Sequence, residues 1–252
     1  MAGRRARSAW PRAQHFLRSS RLAADIVHGL DVQADDLVVE IGAGSGRLTA
    51  ELARRAGRVI AIEIDPVWVG RLRERFPEVE VVEADALRSP LPGDPFRVVG
   101  NVPFNRTTAI LRRLLDDPRL PLVRADLIVE WNLACKRAAV WPSTLLGVCW
   151  APWFELAVVR RLPARCFEPT PSVDAALLRI TRRAMPLVDL QEVHAYQAFV
   201  RRAFAHGRLR GCATPLVVKR VANRLGFDPR CAPRELDVHQ WAALYNATAD
   251  AK

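Results

Sequence analysis

The chain is 252 residues long, with 50% hydrophobic and 26% charged residues, a globular composition able to bury a sizeable core. No apolar run approaches the ~20 residues of a membrane span, and the N-terminus has charge but no apolar core, so neither a membrane protein nor a signal peptide is expected. A formal net charge of +11 favours a polyanionic partner, with nucleic acid ahead of membrane. The 5 cysteines include no C-x-x-C pair, which argues against a disulfide framework or a zinc knuckle and fits a reducing cytoplasm; no metal is expected.

Residues 1–13 carry Arg4, Arg5, Arg7 and Arg12 and no acid, and read as a basic arm. Gln14-His15-Phe16-Leu17 follows, then a helix over 22–30, where Leu22, Ile26, Val27 and Leu30 recur at helical spacing. From Leu37 strands are expected at 37–42, 58–64, 79–84, 96–101 and 125–130. Helices are expected at 46–56, 66–76 and 106–116, with another beginning near 131. This alternation predicts a doubly wound, Rossmann-like α/β sheet whose ligand lies at the carboxyl ends of the strands. Strands at 154–162 and 175–181 flank a proline-rich stretch with no room for a helix, which predicts a final antiparallel hairpin. Beyond residue 184 the pattern is only helical, with segments at 190–205, 214–226 and 238–246. The domain organisation expected is a basic arm (1–13), a sheet domain (14–183) and a small C-terminal helical domain (184–252).

Four strand ends carry the chemistry. The first runs into Gly42-Ala43-Gly44-Ser45-Gly46, where glycine allows a tight turn close to a ligand, and Gly46 allows close helix–strand packing. The second ends in Glu63-Ile64-Asp65, with Glu63 at the spacing expected of a ribose-binding carboxylate. The third ends in Asp85-Ala86, where an acceptor-only carboxylate suits an exocyclic adenine amine. Each polar residue also fits an ordinary turn. The fourth ends in Asn101-Val102-Pro103-Phe104. An exocyclic amine is a poor nucleophile because its lone pair is delocalised into the ring. The Asn101 side-chain carbonyl and the Val102 backbone carbonyl can accept its two N–H groups, Pro103 stiffens the turn, and Phe104 can stack on the base. Such a site works by positioning and electrostatics and needs no strong base.

These residues resemble the rRNA adenine N6-methyltransferase family, which includes the Erm enzymes and the KsgA-type dimethyltransferases. Gln14-His15-Phe16-Leu17 is similar to Q-N-F-L, Glu40 to Gly46 to E-I-G-x-G-x-G, and Glu63-Ile64-Asp65 to E-x-D. Asp85-Ala86 matches D-A, Asn101 to Phe104 matches N-[ILV]-P-[YF], and Phe167 to Ala176 is similar to F-x-P-x-P-x-V-D-S-A. The resemblance implies S-adenosylmethionine as cofactor. It places Gly42 and Gly44 near the amino-acid part, Glu63 and Ile64 at the ribose, and Asp85 and Ala86 at the adenine. Gln14, His15 and Leu17 would close the site, and Asn101 would touch both cofactor and target amine. The departures are His15 for asparagine, Phe104 for the commoner tyrosine, and Ala175 for serine. A histidine's charge varies with pH, which puts its contact in question.

Within the family, the Gly/Arg-rich segment Arg201 to Gly211 and Cys135-Lys136-Arg137 look more like the Erm group. That reading implies methylation of an adenine in the peptidyl transferase loop of 23S rRNA and macrolide-type resistance; the KsgA-type alternative implies two adjacent adenines in 16S rRNA. Ribosomal RNA is the expected partner, held by Arg106, Arg112, Arg113, Lys136 and Arg137, and the enzyme is expected to be a monomer. A dehydrogenase has no use for Asn101 to Phe104, and a non-catalytic RNA-binding member has no use for an intact Asn101.

Overall fold

The computed structural model describes residues 15–141 and 143–249. The expected basic arm and Gln14 lie outside them. By its internal contacts the chain divides into two units. The described residues up to Arg113, with Pro121–Ala134 and Val158–Ile180, form the first; Leu114–Leu120, Cys135–Ala157 and the residues from Thr181 onward form the second. The division at Ile180/Thr181 lies near the boundary expected at 183/184, whereas the two earlier segments of the second unit leave no mark in composition.

In chain order the elements are β1 (Phe16–Leu17), α1 (Ser20–His28), β2 (Leu37–Ile41), α2 (Arg47–Leu52), β3 (Arg58–Glu63), α3 (Pro66–Arg75), β4 (Glu80–Glu83) and β5 (Phe96–Asn101). They continue with α4 (Thr107–Leu115), β6 (Leu122–Glu130), α5 (Trp131–Ala138), α6 (Leu145–Trp150), β7 (Phe154–Leu162), β8 (Phe167–Glu168) and β9 (Ala175–Arg182). The seven-stranded sheet runs β4-β3-β2-β5-β6-β9-β7, and β1 pairs antiparallel with β8 in a second, two-stranded sheet. The pairs β2–β3, β2–β5, β3–β4 and β5–β6 are all parallel. Central strands such as Leu37-Val38-Val39-Glu40-Ile41 are apolar and largely buried, as helices on both faces require. Local chemistry sets the helix starts. Ser19 caps α1 by accepting from Leu22 N at 3.3 Å, and Asp65 caps α3 by accepting from Val67 N at 2.9 Å, with Pro66 in the first turn. β7 and β9 lie side by side at the end of the sheet, as the expected hairpin requires.

The register explains why four strand ends meet. Ile41 pairs with Ile62 on one side and Gly100 on the other; Glu63 pairs with Glu83, and Asn101 with Ile128. The chain leaves β2 toward β3 and β4, then returns to add β5 and β6 on the opposite edge. The β2/β5 boundary is therefore the topological switch point, where a crevice opens at the carboxyl ends.

The second unit contains α6 and the helices α7 (Val193–His206), α8 (Pro215–Leu225) and α9 (Val238–Ala249). α7 buries Val193, Tyr196, Phe199, Val200 and Ala203 along one stripe. Tyr196 meets Trp153 and Tyr245 edge-on at 5.6 and 5.3 Å, and Phe199 meets Trp241 at 6.2 Å. α6 has no counterpart among the expected elements. It is six residues long, and Leu146, Val148, Cys149 and Trp150 are all buried, so it shows no helical period.

In the first unit, Asp126 on β6 is 3% exposed and accepts from Arg124 Nε and Arg179 Nε, each at 2.7 Å. Arg179 also donates to the Gly29 carbonyl at 3.0 Å. Removing the carboxylate leaves two partly buried cations without their partner. Asp126→Ala should lower unfolding stability by about 3 kcal/mol, read as a drop in the urea midpoint. A change within a few tenths would mean that the pair adds nothing to the fold.

Candidate active site

Above the switch point lies a cavity of about 300 Å³. Its lining includes His15, Phe16, Gly42, Gly44, Glu63, Ile64, Asp85, Ala86, Asn101, Val102, Pro103 and Phe104, so residues from all four strand ends converge on one space.

Glu63 organises one wall. Its carboxylate is 3% exposed, with Oε2 accepting from Gly44 N at 2.8 Å and Oε1 from Ile64 N at 2.8 Å and Asp65 N at 2.9 Å. Three of about four lone-pair positions are thereby committed to backbone N–H groups, leaving limited acceptor capacity toward the cavity. The glycine turn is thus tied directly to the end of β3. Gly44 has φ of +49°, and a Cβ there would lie 2.6 Å from Phe16 Cε1. Only a glycine lets the Phe16 ring close over the turn. Phe16 also packs on Trp68 of α3, with ring centroids 5.3 Å apart. Gly46 differs from expectation in what it admits. A Cβ there would meet Phe76 at 2.7 Å and Leu72 at 3.0 Å, so the close packing is against α3 and its C-terminal cap, not against a strand.

Asp85 lines the cavity and also makes a turn. Its Oδ1 accepts from Leu87 N at 2.9 Å, and its backbone carbonyl accepts from Arg88 N and Ser89 N. The turn reading therefore holds for Asp85, and its place in the cavity lining leaves it positioned for the expected adenine contact.

Asn101 is held from the N-terminal side. Its Nδ2 donates to the His15 backbone carbonyl at 2.6 Å. A carbonyl can only accept, so this bond fixes which end of the amide is nitrogen and leaves Oδ1 as an acceptor. The Pro103 carbonyl accepts from Arg106 N at 2.9 Å and from the buried Thr107 hydroxyl at 3.3 Å, which holds the turn after β5. Phe104 is half-buried, with its ring centroid 5.8 Å from that of His15.

The His15 ring nitrogen Nδ1 donates to the Pro169 carbonyl at 2.7 Å. The contact from residue 15 to Asn101 runs through the backbone, so histidine in place of asparagine leaves that contact intact. Leu17 does not line the cavity. It is 3% exposed in the apolar core and pairs with Phe167. Phe16, which the motif reading passed over as a site residue, lines the cavity from this strand. Its signal is the missing Cβ at Gly44, which becomes informative only once the two are seen in contact.

The expected RNA contacts differ in their surroundings. Arg106 is exposed and lines the cavity, and Arg112 and Lys136 are exposed on α4 and α5. Arg113 is half-buried and donates to the Ser89 carbonyl. Arg137 donates to Thr144 Oγ1 at 3.4 Å and lies over the Trp150 ring at 5.9 Å. Those two side chains are engaged inside the protein.

A doubly wound sheet, a glycine turn tied to an acidic strand end, and an asparagine-proline turn facing the same cavity define a Rossmann-like methyltransferase. A model of the ribosomal RNA adenine dimethylase family matches residues 11–210. The chain belongs to that family. It is 38% identical over 240 residues to the mycinamicin-resistance protein MyrB of Micromonospora griseorubida, covering 92% of this chain and 76% of that one. It is 37% identical over 198 residues to an rRNA adenine N-6-methyltransferase of Corynebacterium diphtheriae, covering 77% of each. Among solved structures, the 23S rRNA methyltransferase ErmE superposes with a TM-score of 0.81 at 30% identity, covering 93% of this chain and 99% of that one. No helix among the described residues is long and apolar enough to cross a membrane.

One charged group beside the site titrates near neutrality. Glu40, on β2 two residues before Gly42, is 1% exposed and accepts from the Thr49 hydroxyl at 2.6 Å. Burial pushes its carboxyl up to about 7; the Thr49 bond pulls the other way, and the Glu63 charge raises it further. The folded chain therefore holds this proton at pH values where the unfolded chain has released it. That contribution to stability is complete below about pH 4.5 and is lost as pH rises through about 7. It amounts to roughly 3 kcal/mol. Glu40→Gln should flatten the decline in stability between these limits, measured by urea denaturation at pH 5 and pH 7.5. Identical pH profiles for the two proteins would exclude Glu40 as the source.

Proposed function

We propose that this methyltransferase transfers a methyl group from S-adenosylmethionine to N6 of an adenine in the peptidyl transferase loop of 23S rRNA, and so confers macrolide-type resistance. The observation that carries the reading is the orientation of Asn101. Its amide nitrogen is committed to the His15 carbonyl, which leaves its Oδ1 as an acceptor in a cavity that Val102, Glu63 and Gly44 also line. The 23S assignment draws on the likeness to ErmE and to the mycinamicin-resistance protein.

The residues present suit the cofactor. The wall at Gly42 and Gly44 carries no side chain, and Glu63, through the one acceptor position its backbone donors leave, and Asp85 line the same space as acceptors suited to hydroxyl and amine donors. His15 and Phe16 line the cavity from the N-terminal side. Bound there, the cofactor supplies an electrophilic methyl group. Asn101 Oδ1 and the Val102 carbonyl accept the two N–H groups of the target amine, which fixes the nitrogen and turns its lone pair toward the incoming carbon. As the N–C bond forms, the methyl carbon's bond to the sulfonium sulfur would break and leave a neutral thioether; the nitrogen becomes cationic, and the two neutral oxygens stabilise that charge. One proton then passes to water, so no side-chain base is required. Phe104 provides a face for the extruded base, whose unstacking costs least in a loop. Arg106, at the mouth of the cavity, and the exposed Arg112 and Lys136 are the proposed phosphate contacts; Arg113 and Arg137 act through local structure.

Asn101→Ala should lower kcat by about 100-fold or more while leaving RNA affinity unchanged. Phe104→Ala should lower kcat/KM on the order of tenfold, with Phe104→Tyr close to wild type. The substrate is tested by labelled methyl transfer to protein-free 23S rRNA and, separately, to 30S particles lacking adenine methylation, with the modified base mapped by primer-extension arrest. A stop in the peptidyl transferase loop is the expected result. Label confined to the 3′ end of 16S rRNA would replace this substrate with the KsgA-type one.

A further inference from the structure

The second unit contains a concavity of its own, between α8 and α9, with a volume of about 680 Å³. Its floor is small and apolar, formed by Val221, Ala242, Ala243 and Ala247, and its polar lining includes Arg220, Arg224 and His239. None of these three side chains has a hydrogen-bond or ion-pair partner among the described residues.

The charge pattern of the two helices is one-sided. α8 carries Lys219, Arg220 and Arg224 and no carboxylate, and α9 carries no acid at all. Arg220 and Arg224 are four residues apart, so they stand on one face of α8, where like charges repel and destabilise a helix by a few tenths of a kcal/mol. Arg224 lies in the last turn, where the helix dipole favours it; Arg220 lacks that compensation. Lining one concavity from one helix face, the two guanidinium groups suit an anion with several acceptor oxygens. The apolar floor suits a ligand that is not charged throughout. A nucleic-acid strand combines both properties.

We propose that this groove holds a phosphodiester segment of the substrate RNA, with the phosphate on Arg220 and Arg224 and the adjoining nucleoside over the alanine floor. The assignment rests on the proposed function, since it commits to the same RNA. It adds a second anchoring point, apart from the residues that surround the methylated base. His239 supplies a further ring N–H donor from α9. Held in this way, the RNA gains affinity without any change in the methyl-transfer step.

The test uses the full chain and a 23S rRNA fragment containing the peptidyl transferase loop. Arg220→Glu with Arg224→Glu should weaken RNA binding and raise KM by about tenfold or more, with kcat and S-adenosylmethionine affinity unchanged. The salt dependence gives a local readout. The slope of log Kd against log salt should fall by about 0.7 to 0.9, corresponding to the one phosphate the pair would neutralise. Arg220→Gln with Arg224→Gln should give a smaller shift in the same direction, and guards against misfolding of the charge-reversed pair. Arg54→Glu with Arg58→Glu changes net charge by the same amount at exposed sites paired with Glu51 and Glu80. Equal weakening by this control pair would overturn the groove and leave only overall charge. Unchanged affinity and slope in both groove variants would also overturn it while leaving the methylation reading intact. Failure of the wild-type protein to bind the rRNA fragment would overturn the groove; failure to methylate rRNA despite binding would overturn the function alone.

Discussion

A single buried carboxylate, that of Glu63, joins the parts on which the site depends. It accepts from the backbone of the glycine turn and from the two residues that lead into α3. An ionised carboxylate needs such donors when removed from water, and the turn's N–H groups need an acceptor. Each requirement meets the other, so the loop after β2 and the end of β3 behave as one piece. Around that piece the parallel register brings up β4 on one side and β5 on the other. The cavity is therefore a consequence of strand order and register before any ligand is considered.

The strands were legible because they combine β-branched residues with burial on both faces. β7 over 154–162 and β5 over 96–101 fall on the expected bounds. α6 was not legible, since a six-residue helix with four buried residues is too short to show a period, and β1 and β8 are two residues each and have no pattern to read. Within the site, Gly42, Gly44, Glu63, Asp85 and Asn101 could be picked out because strand ends with acceptors and glycines are conspicuous in an apolar sequence. Phe16 and Leu17 could not be sorted from each other, because which of two adjacent apolar side chains enters the core depends on a partner 150 residues away. Arg113 and Arg137 looked like surface charges for a similar reason. Their carbonyl, hydroxyl and ring partners are set by packing, and a count of basic residues does not distinguish a guanidinium facing solvent from one bound inside.

The two units divide the physical work differently. The first uses polar atoms at strand ends, where backbone and side-chain hydrogen bonds fix direction to within one lone pair. The second is built on aromatic packing around Tyr196, Phe199 and Trp241, to which hydrogen bonds such as Tyr196 to the Val148 carbonyl and Trp153 to the Val188 carbonyl are added. A site that must aim two carbonyls at one nitrogen belongs on the first kind of framework. A surface that holds a long polyanion through screened charges tolerates the second.

The clasp at residue 15 carries a consequence for synthesis. Asn101 takes its orientation from the His15 carbonyl, and the His15 ring is tied to the Pro169 carbonyl, 154 residues farther along. β1 is likewise without a partner until β8 exists. A chain growing from its N-terminus thus completes β2 to β6 before the stretch around Pro169, which ties the His15 ring and pairs β8 with β1, has been made, so the strap over Asn101 is among the last parts of the first unit to close.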